Sequence, residues 1–263
     1  MNKAKPYIGV TGFMELDEVE RCRECWAELC QNETPQRLLM IGILISSTTL
    51  AGQVNSLSGQ FPRCSLIRKI VIDSPYLFNC LHFNTRAPEN LYDQLMLSMD
   101  YGGEKINGIQ LNMVWPEAKA LQRVKTQYPR LKYVLQVSPH LAGYQLMTPM
   151  QVACKIKAVY GNLIDYVLVD FSRGLGQELP LDDVRLYLRA IAEINPDISL
   201  GTGSGLYAEN LRPLITQLTP EFPDLSFDAQ GRLHDNSDGG GRLMLPETIA
   251  YLKEGAQITV PTK

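Results

Sequence analysis

The chain is short of several things. Its 25 lysines and arginines are outnumbered by 28 aspartates and glutamates, a formal net charge of −3 over 263 residues. Without a basic excess there is no field to draw in nucleic acid or anionic lipid, so small molecules or proteins are the expected partners. No apolar run is long enough to span a bilayer, and the N-terminal stretch Met1 to Met14 has lysines but too short an apolar run for a signal peptide, so a cytoplasmic location and no membrane partner are expected. Histidine occurs three times and cysteine six times. Cys22, Cys25 and Cys30 share one predicted helix, where neighbours are badly placed for disulfides with each other. No second Cys/His pair at ligand spacing completes a metal site with them, so no metal and no cofactor are expected, and the cysteines read as a helix face with Trp26 and Leu29. No linker or low-complexity tract divides the chain.

What is present is a recurring apolar run. YIGVT (7–11), LLMIGILIS (38–46), LFNCLHF (77–83), GIQL (108–111), YVLQV (133–137), YVLVDF (166–171), ISLG (198–201) and LSFD (225–228) start roughly thirty residues apart, the repeat of one strand plus one helix. Helix signals lie between them. Thr148 reads as an N-cap with Pro149 at the first helical position and Gly161 past the end; Pro116 reads as the first position of another helix, beside Glu117, with Pro129 as its stop. Eight such units predict an α/β fold, a (β/α)₈ TIM barrel formed as one domain over residues 1–263, with a doubly wound open sheet as the structural alternative. A homodimer is an open alternative to a monomer.

In a barrel the site forms where strands end. Those ends carry Thr11, Ser46 with Ser47, His82 with Asn84, Asn112, Ser138, Asp170, Thr202 with Ser204, and Asp228, while Gln110 and Gln136 interrupt apolar strands. Ser47, His82, Asn84, Gln110, Asn112 and Gln136 are therefore candidate pocket residues; the plainer reading is that strand ends turn polar as they reach water and that His82 is a satisfied core histidine. Asp170 and Asp228 stand out because each follows an apolar run where an unpaired carboxylate is costly to desolvate. The run HDNSD, with His234, Asp235 and Asp238, reads as a solvated flap rather than a cation site.

GTGSGLYAEN, Gly201 to Asn210, follows the seventh strand and precedes a helix starting near Tyr207 or Ala208. Gly201, Gly203, Ser204 and Gly205 would let backbone N–H groups approach an anion at the positive end of that helix. A second cluster, Gly239, Gly240 and Gly241 beside Arg242, follows the eighth strand, and barrel phosphate sites recur in these two loops. A small phosphorylated molecule is the expected ligand. The competing G-x-G-x-x-A dinucleotide turn, Gly203 to Ala208, comes too late in the chain to open a βαβ unit.

Taken in order, GVTGFM, IGILISS, CLHFNT, IQLN, VLVDFSRGLGQ, LGTGSGLYAENL and LSFDAQG resemble the successive strand ends of the phosphoribosylanthranilate isomerase family, members of the ribulose-phosphate-binding barrels. The resemblance spans the chain, and the last two segments are its most specific part. It implies an Amadori rearrangement of an aminoaldose phosphate, in which an acid opens the sugar ring and a base removes the C2 proton. Asp170 falls on the family's acid. Thr11 stands where the family has its catalytic cysteine, Gly9 where it has lysine and Asn112 where it has histidine. A threonine hydroxyl is a far poorer base than a thiolate. The expectation is a barrel that keeps the phosphate end and changes the reacting end: an isomerase or lyase with Asp170, Asp228 and Thr11 at its centre, or a non-catalytic barrel that binds a phosphorylated metabolite or a protein. A metal-dependent epimerase ranks last, since only His82 stands at a strand end.

Overall fold

The computed structural model describes residues 3–31, 33–172, 179–235, 237 and 241–260. Eight parallel strands close into a barrel in sequence order: β1 (Tyr7–Thr11), β2 (Leu38–Ser46), β3 (Leu77–Asn84), β4 (Gly108–Leu111), β5 (Lys132–Val137), β6 (Tyr166–Val169), β7 (Ser199–Thr202) and β8 (Ser226–Ala229). Closure runs through Ile8, Gly9 and Val10 of β1 beside Phe227, Asp228 and Ala229 of β8. The helices are α1 (Leu16–Leu29), α2 (Ser47–Leu50), α3 (Ile67–Ile70), α4 (Leu91–Gly102), α5 (Ala118–Gln127), α6 (Pro149–Tyr160), α7 (Leu181–Ile194), α8 (Ala208–Ile215) and α9 (Leu245–Ala256). The fold is a (β/α)₈ barrel, and the open-sheet alternative fails at the β1–β8 pairing. None of the described helices is long and apolar enough to cross a membrane.

Local chemistry sets the element ends. The Thr148 hydroxyl accepts the Gln151 N–H at 3.2 Å while the Gln151 side chain accepts the Thr148 N–H at 2.8 Å, a reciprocal cap that starts α6. Gly161, at φ +54°, takes the left-handed position that ends it. One boundary differs from the sequence reading: α5 starts at Ala118 with Glu117 as N-cap, so Pro116 lies before the helix and its carbonyl instead accepts the Tyr160 hydroxyl. The three cysteines fall on α1 as expected, Cys30 being its C-cap.

Strands covered on both faces bury nearly every side chain, and alternate residues point inward. The lower interior is plugged by Tyr7, Phe78 and Tyr166, whose ring centroids lie 5.3 to 5.8 Å apart, together with Met40, Cys80, Val134 and Leu168. Burying each such side chain contributes roughly 1.5–3 kcal/mol, so the plug anchors the barrel beneath the C-terminal mouth. Inward glycines make room for larger neighbours. A Cβ at Gly108 would meet the Phe78 ring at 2.4 Å, and one at Gly9 would meet the Asp228 carboxylate at 2.5 Å.

The long segment after β8 is not a plain loop. His234–Asp235 (β9) pairs antiparallel with Arg242–Leu243 (β10), a small hairpin over the mouth. His234 is buried within it, which corrects the solvated-flap reading at that residue: its ring packs against Gly12 and its Nδ1 lies 2.8 Å from the Gln230 carbonyl.

Candidate active site at the barrel mouth

A cavity of about 210 Å³ opens at the C-terminal ends of the strands. Asn84, Gln110, Asn112, Gln136, Asp170, Gly203, Ser204, Gly205 and Asp228 line it, so the structure brings together most of the pocket residues, both carboxylates and the core of the glycine loop. Leu168 forms part of its floor, above the aromatic plug.

The two carboxylates sit in unlike surroundings. Asp170 follows β6 and is surrounded by donors: Gln136 Nε2 reaches Oδ2 at 2.6 Å, while the Ser172 amide, the Ser172 hydroxyl and the Ser204 hydroxyl reach Oδ1 at 2.8, 2.9 and 3.0 Å. Charge-assisted bonds of this number hold a carboxylate in one orientation. Asp228, on β8, leans into the space left by Gly9 and takes the Thr11 hydroxyl at 3.2 and 3.3 Å. Burial pushes its carboxyl from the ordinary 3.8 up to about 7; the Thr11 hydroxyl and the Ala229 amide oppose the rise and the charge of Asp170 adds to it.

Thr11 and His82 lie behind Asp228 rather than on the cavity. Thr11 Oγ1 is 3.2 Å from His82 Nδ1, and the buried imidazole is driven by desolvation from 6.5 down to about 3. The expectation that Thr11 and His82 meet the ligand directly is therefore corrected to a place one layer deeper. Ser47 is also off the cavity; it begins α2, where its hydroxyl accepts the Arg86 amide at 3.1 Å.

On the glycine loop, Ser204 carries φ +111° and Gly205 φ +56°. A left-handed φ is costly for serine, and such strain concentrates at sites that over-determine it. The constraint is visible: the Ser204 hydroxyl accepts the Phe171 and Ser172 amides at 2.9 and 3.0 Å while donating to Asp170. The Gly203 amide is used by Val169 at 3.1 Å, whereas the Ser204 and Gly205 amides have no acceptor among the described residues. Just beyond, Tyr207 caps α8, with its amide on Asn210 Oδ1 at 2.9 Å. Gly201 lies lower in β7, packed on Leu168 and Ser226. Gly241 and the exposed Arg242 belong to the hairpin and do not line the cavity, and Gly239, Gly240 and Asp238 lie outside the described residues.

Ser172 and Gln230 were missed in the sequence. Each stands two residues beyond a carboxylate, at Asp170 and Asp228, so the alternation of a strand continued past its end would have placed both on the same inward face.

No protein-family profile matches the chain, and no curated protein sequence matches it. Solved structures match its fold over nearly the whole length. Tryptophan synthase from Mycobacterium tuberculosis is 14% identical at a TM-score of 0.54, covering 98% of this chain and 94% of its own. An aldolase is 11% identical at 0.55, covering 96% and 95%. A chitinase domain from Pyrococcus furiosus is 14% identical at 0.52, covering 100% and 99%. Three unlike enzymes at such identity establish the barrel and leave the chemistry to the site itself.

Proposed function

We propose that this protein is an isomerase or lyase of the ribulose-phosphate-binding barrel type, acting on a small phosphorylated metabolite by proton transfer between Asp170, Asp228 and the ligand. One observation supports it above the others: both carboxylates and the glycine loop line the same cavity. The Ser204 and Gly205 amides, without an acceptor among the described residues and with the N-terminus of α8 close behind, suit a phosphate group.

At the other end, a general acid or base works best with a pKa near the working pH, and Asp228, raised to about 7, exchanges a proton near neutrality. A carboxylate on β8 thus takes over the base that Thr11 cannot supply on the neighbouring β1. Asp170, oriented by its four donors, is the second carboxyl, where the resemblance puts the acid. Gln110, Asn112 and Gln136 carry buried side-chain oxygens without partners and serve to hold hydroxyl or amino groups of the ligand.

Thermal shift against a panel of sugar phosphates, followed by turnover assays on those that bind, tests the reading. Binding that Gly205→Asp abolishes, with turnover lost in Asp170→Asn and Asp228→Asn, is the expected result; no response from any phosphate ester rejects it. Binding without turnover would select the non-catalytic reading, which the withdrawal of Thr11 from the cavity favours.

A further inference from the structure

Behind Asp228 lie two polar residues that the proton transfer does not itself use. Thr11 on β1 and His82 on β3 are buried and bonded to each other, and the Thr11 hydroxyl donates to the carboxylate. Thr11 has one hydroxyl proton. With that proton on Asp228, the oxygen can only accept from His82, which fixes the neutral imidazole with its proton on Nδ1. His82 Nε2 is left buried without a partner among the described residues, a cost that an apolar residue at this position would avoid.

The neighbouring strand is shaped around this chain. A Cβ on Gly42 would stand 2.6 Å from Thr11 Oγ1 and 2.9 Å from His82 Nε2, and one on Gly9 would strike Asp228 itself. Glycines on two adjacent strands thus admit a buried polar line that ends on a cavity carboxylate.

We propose that Thr11 and His82 are positioning residues for Asp228, a donor relay in which the imidazole orients the threonine hydroxyl and the hydroxyl holds the carboxylate in one orientation and favours its ionised form. This rests on the reading of Asp228 as the proton-transferring group. The other titratable groups around the carboxylate are Asp170 on β6, Tyr7 on β1, Cys80 on β3 and Tyr251 on α9. None of these is a cation, so the Thr11 hydroxyl is the side-chain group that opposes burial, beside the Ala229 amide.

The test needs no substrate. The carboxyl carbon of Asp228 is followed by ¹³C NMR across a pH titration in the full-length protein. Thr11→Val, which keeps the shape and loses the donor, is expected to raise the midpoint by about one pH unit, a tenfold gain in proton affinity. Thr11→Ser should leave it near wild type, His82→Leu should raise it by a smaller step, and His82→Asn, with an amide donor close to the place of Nδ1, should restore it. Thr11→Ala serves as a second donor-free variant should valine not fold. An unmoved midpoint in the donor-free variants overturns the relay, as does an unmoved midpoint in His82→Leu. Failure of the sugar-phosphate panel would reject the proposed reaction while leaving the titration result standing, so the two are separable.

Discussion

The two sides of the cavity hold the same functional group in opposite ways. On the β6–β7 side Asp170 receives, among the described residues, four donors from Gln136, Ser172 and Ser204. On the β8–β1 side Asp228 receives one hydroxyl, and its carboxyl rises to about 7. Both residues are buried at strand ends of one barrel, and at Asp228 burial outweighs the Thr11 hydroxyl and the Ala229 amide that oppose it. A group held rigidly by its neighbours is suited to orientation and one left short of partners is suited to exchange, and the proposed division of acid and base work rests on that contrast.

The largest expected effect breaks the Asp228 side. Its folded pKa of about 7 exceeds the ordinary 3.8, so the folded protein binds more protons than the unfolded chain between those values. Stability contributed by the protonated form is then complete below about pH 4 and lost as the pH rises through 7. Asp228→Asn removes the ionisation, and urea unfolding should show a gain on the order of 4 kcal/mol at pH 8 that vanishes near pH 4. His82, depressed to about 3, has the opposite slope, its stability falling as the pH drops from 6.5. In wild type the two slopes offset one another across pH 4 to 6.5, and the asparagine variant should leave the His82 slope, to which the likewise depressed His234 adds, without that offset.

Asp170→Ala should do the reverse of Asp228→Asn. Buried donors on Ser172, Ser204 and Gln136 would lose their acceptor, and the loss should be about 2–4 kcal/mol by denaturant unfolding. A stabilised Asp170→Ala protein would mean that the two seats do not differ as described.

How much of this contrast the sequence displays follows from range. Strand and helix positions depend on local apolar runs and caps, so Tyr7–Thr11, Leu38–Ser46 and Gly108–Leu111 were read to the residue, and Thr148 with Gly161 bounded α6 correctly. The convergence of Asp170, Asp228 and the Gly203–Gly205 loop followed from barrel geometry once eight units were counted. Depth was not legible. Whether Thr11 and His82 face the ligand or stand behind Asp228 depends on Gly9 and Gly42, whose missing side chains let the carboxylate and the imidazole sink inward. The β9–β10 hairpin was hidden too, because two-residue strands carry no periodicity.

Gly9→Ala sharpens the comparison at intermediate size. Its new Cβ would fall 2.5 Å from Asp228 Oδ1 and 2.7 Å from Met40 Cε, so the carboxylate has to swing toward the cavity. A loss of about 1–3 kcal/mol is expected. The displaced carboxylate gains water, so its titration midpoint should fall below 7; a midpoint that stays or rises would show that burial against Gly9 does not set it.

The smallest effect concerns Ser204, the residue that joins the glycine loop to the Asp170 seat. Its φ of +111° suits glycine, and keeping serine there costs on the order of 1–3 kcal/mol. Against that, its hydroxyl ties the Phe171 and Ser172 amides to Asp170, bonds whose loss costs a similar amount. Ser204→Gly removes strain and bonds together and should change stability by less than about 1 kcal/mol. Ser204→Ala keeps the strain and loses the bonds, so it should be less stable than the glycine variant by about 1–2 kcal/mol in denaturant unfolding. Equal stability of the two would mean that the backbone relaxes once the hydroxyl is gone, and that the loop is shaped by its bond to Asp170 rather than the reverse. Either result tells whether the glycine loop or the Asp170 seat imposes its geometry on the other, since Ser204 is the residue they share.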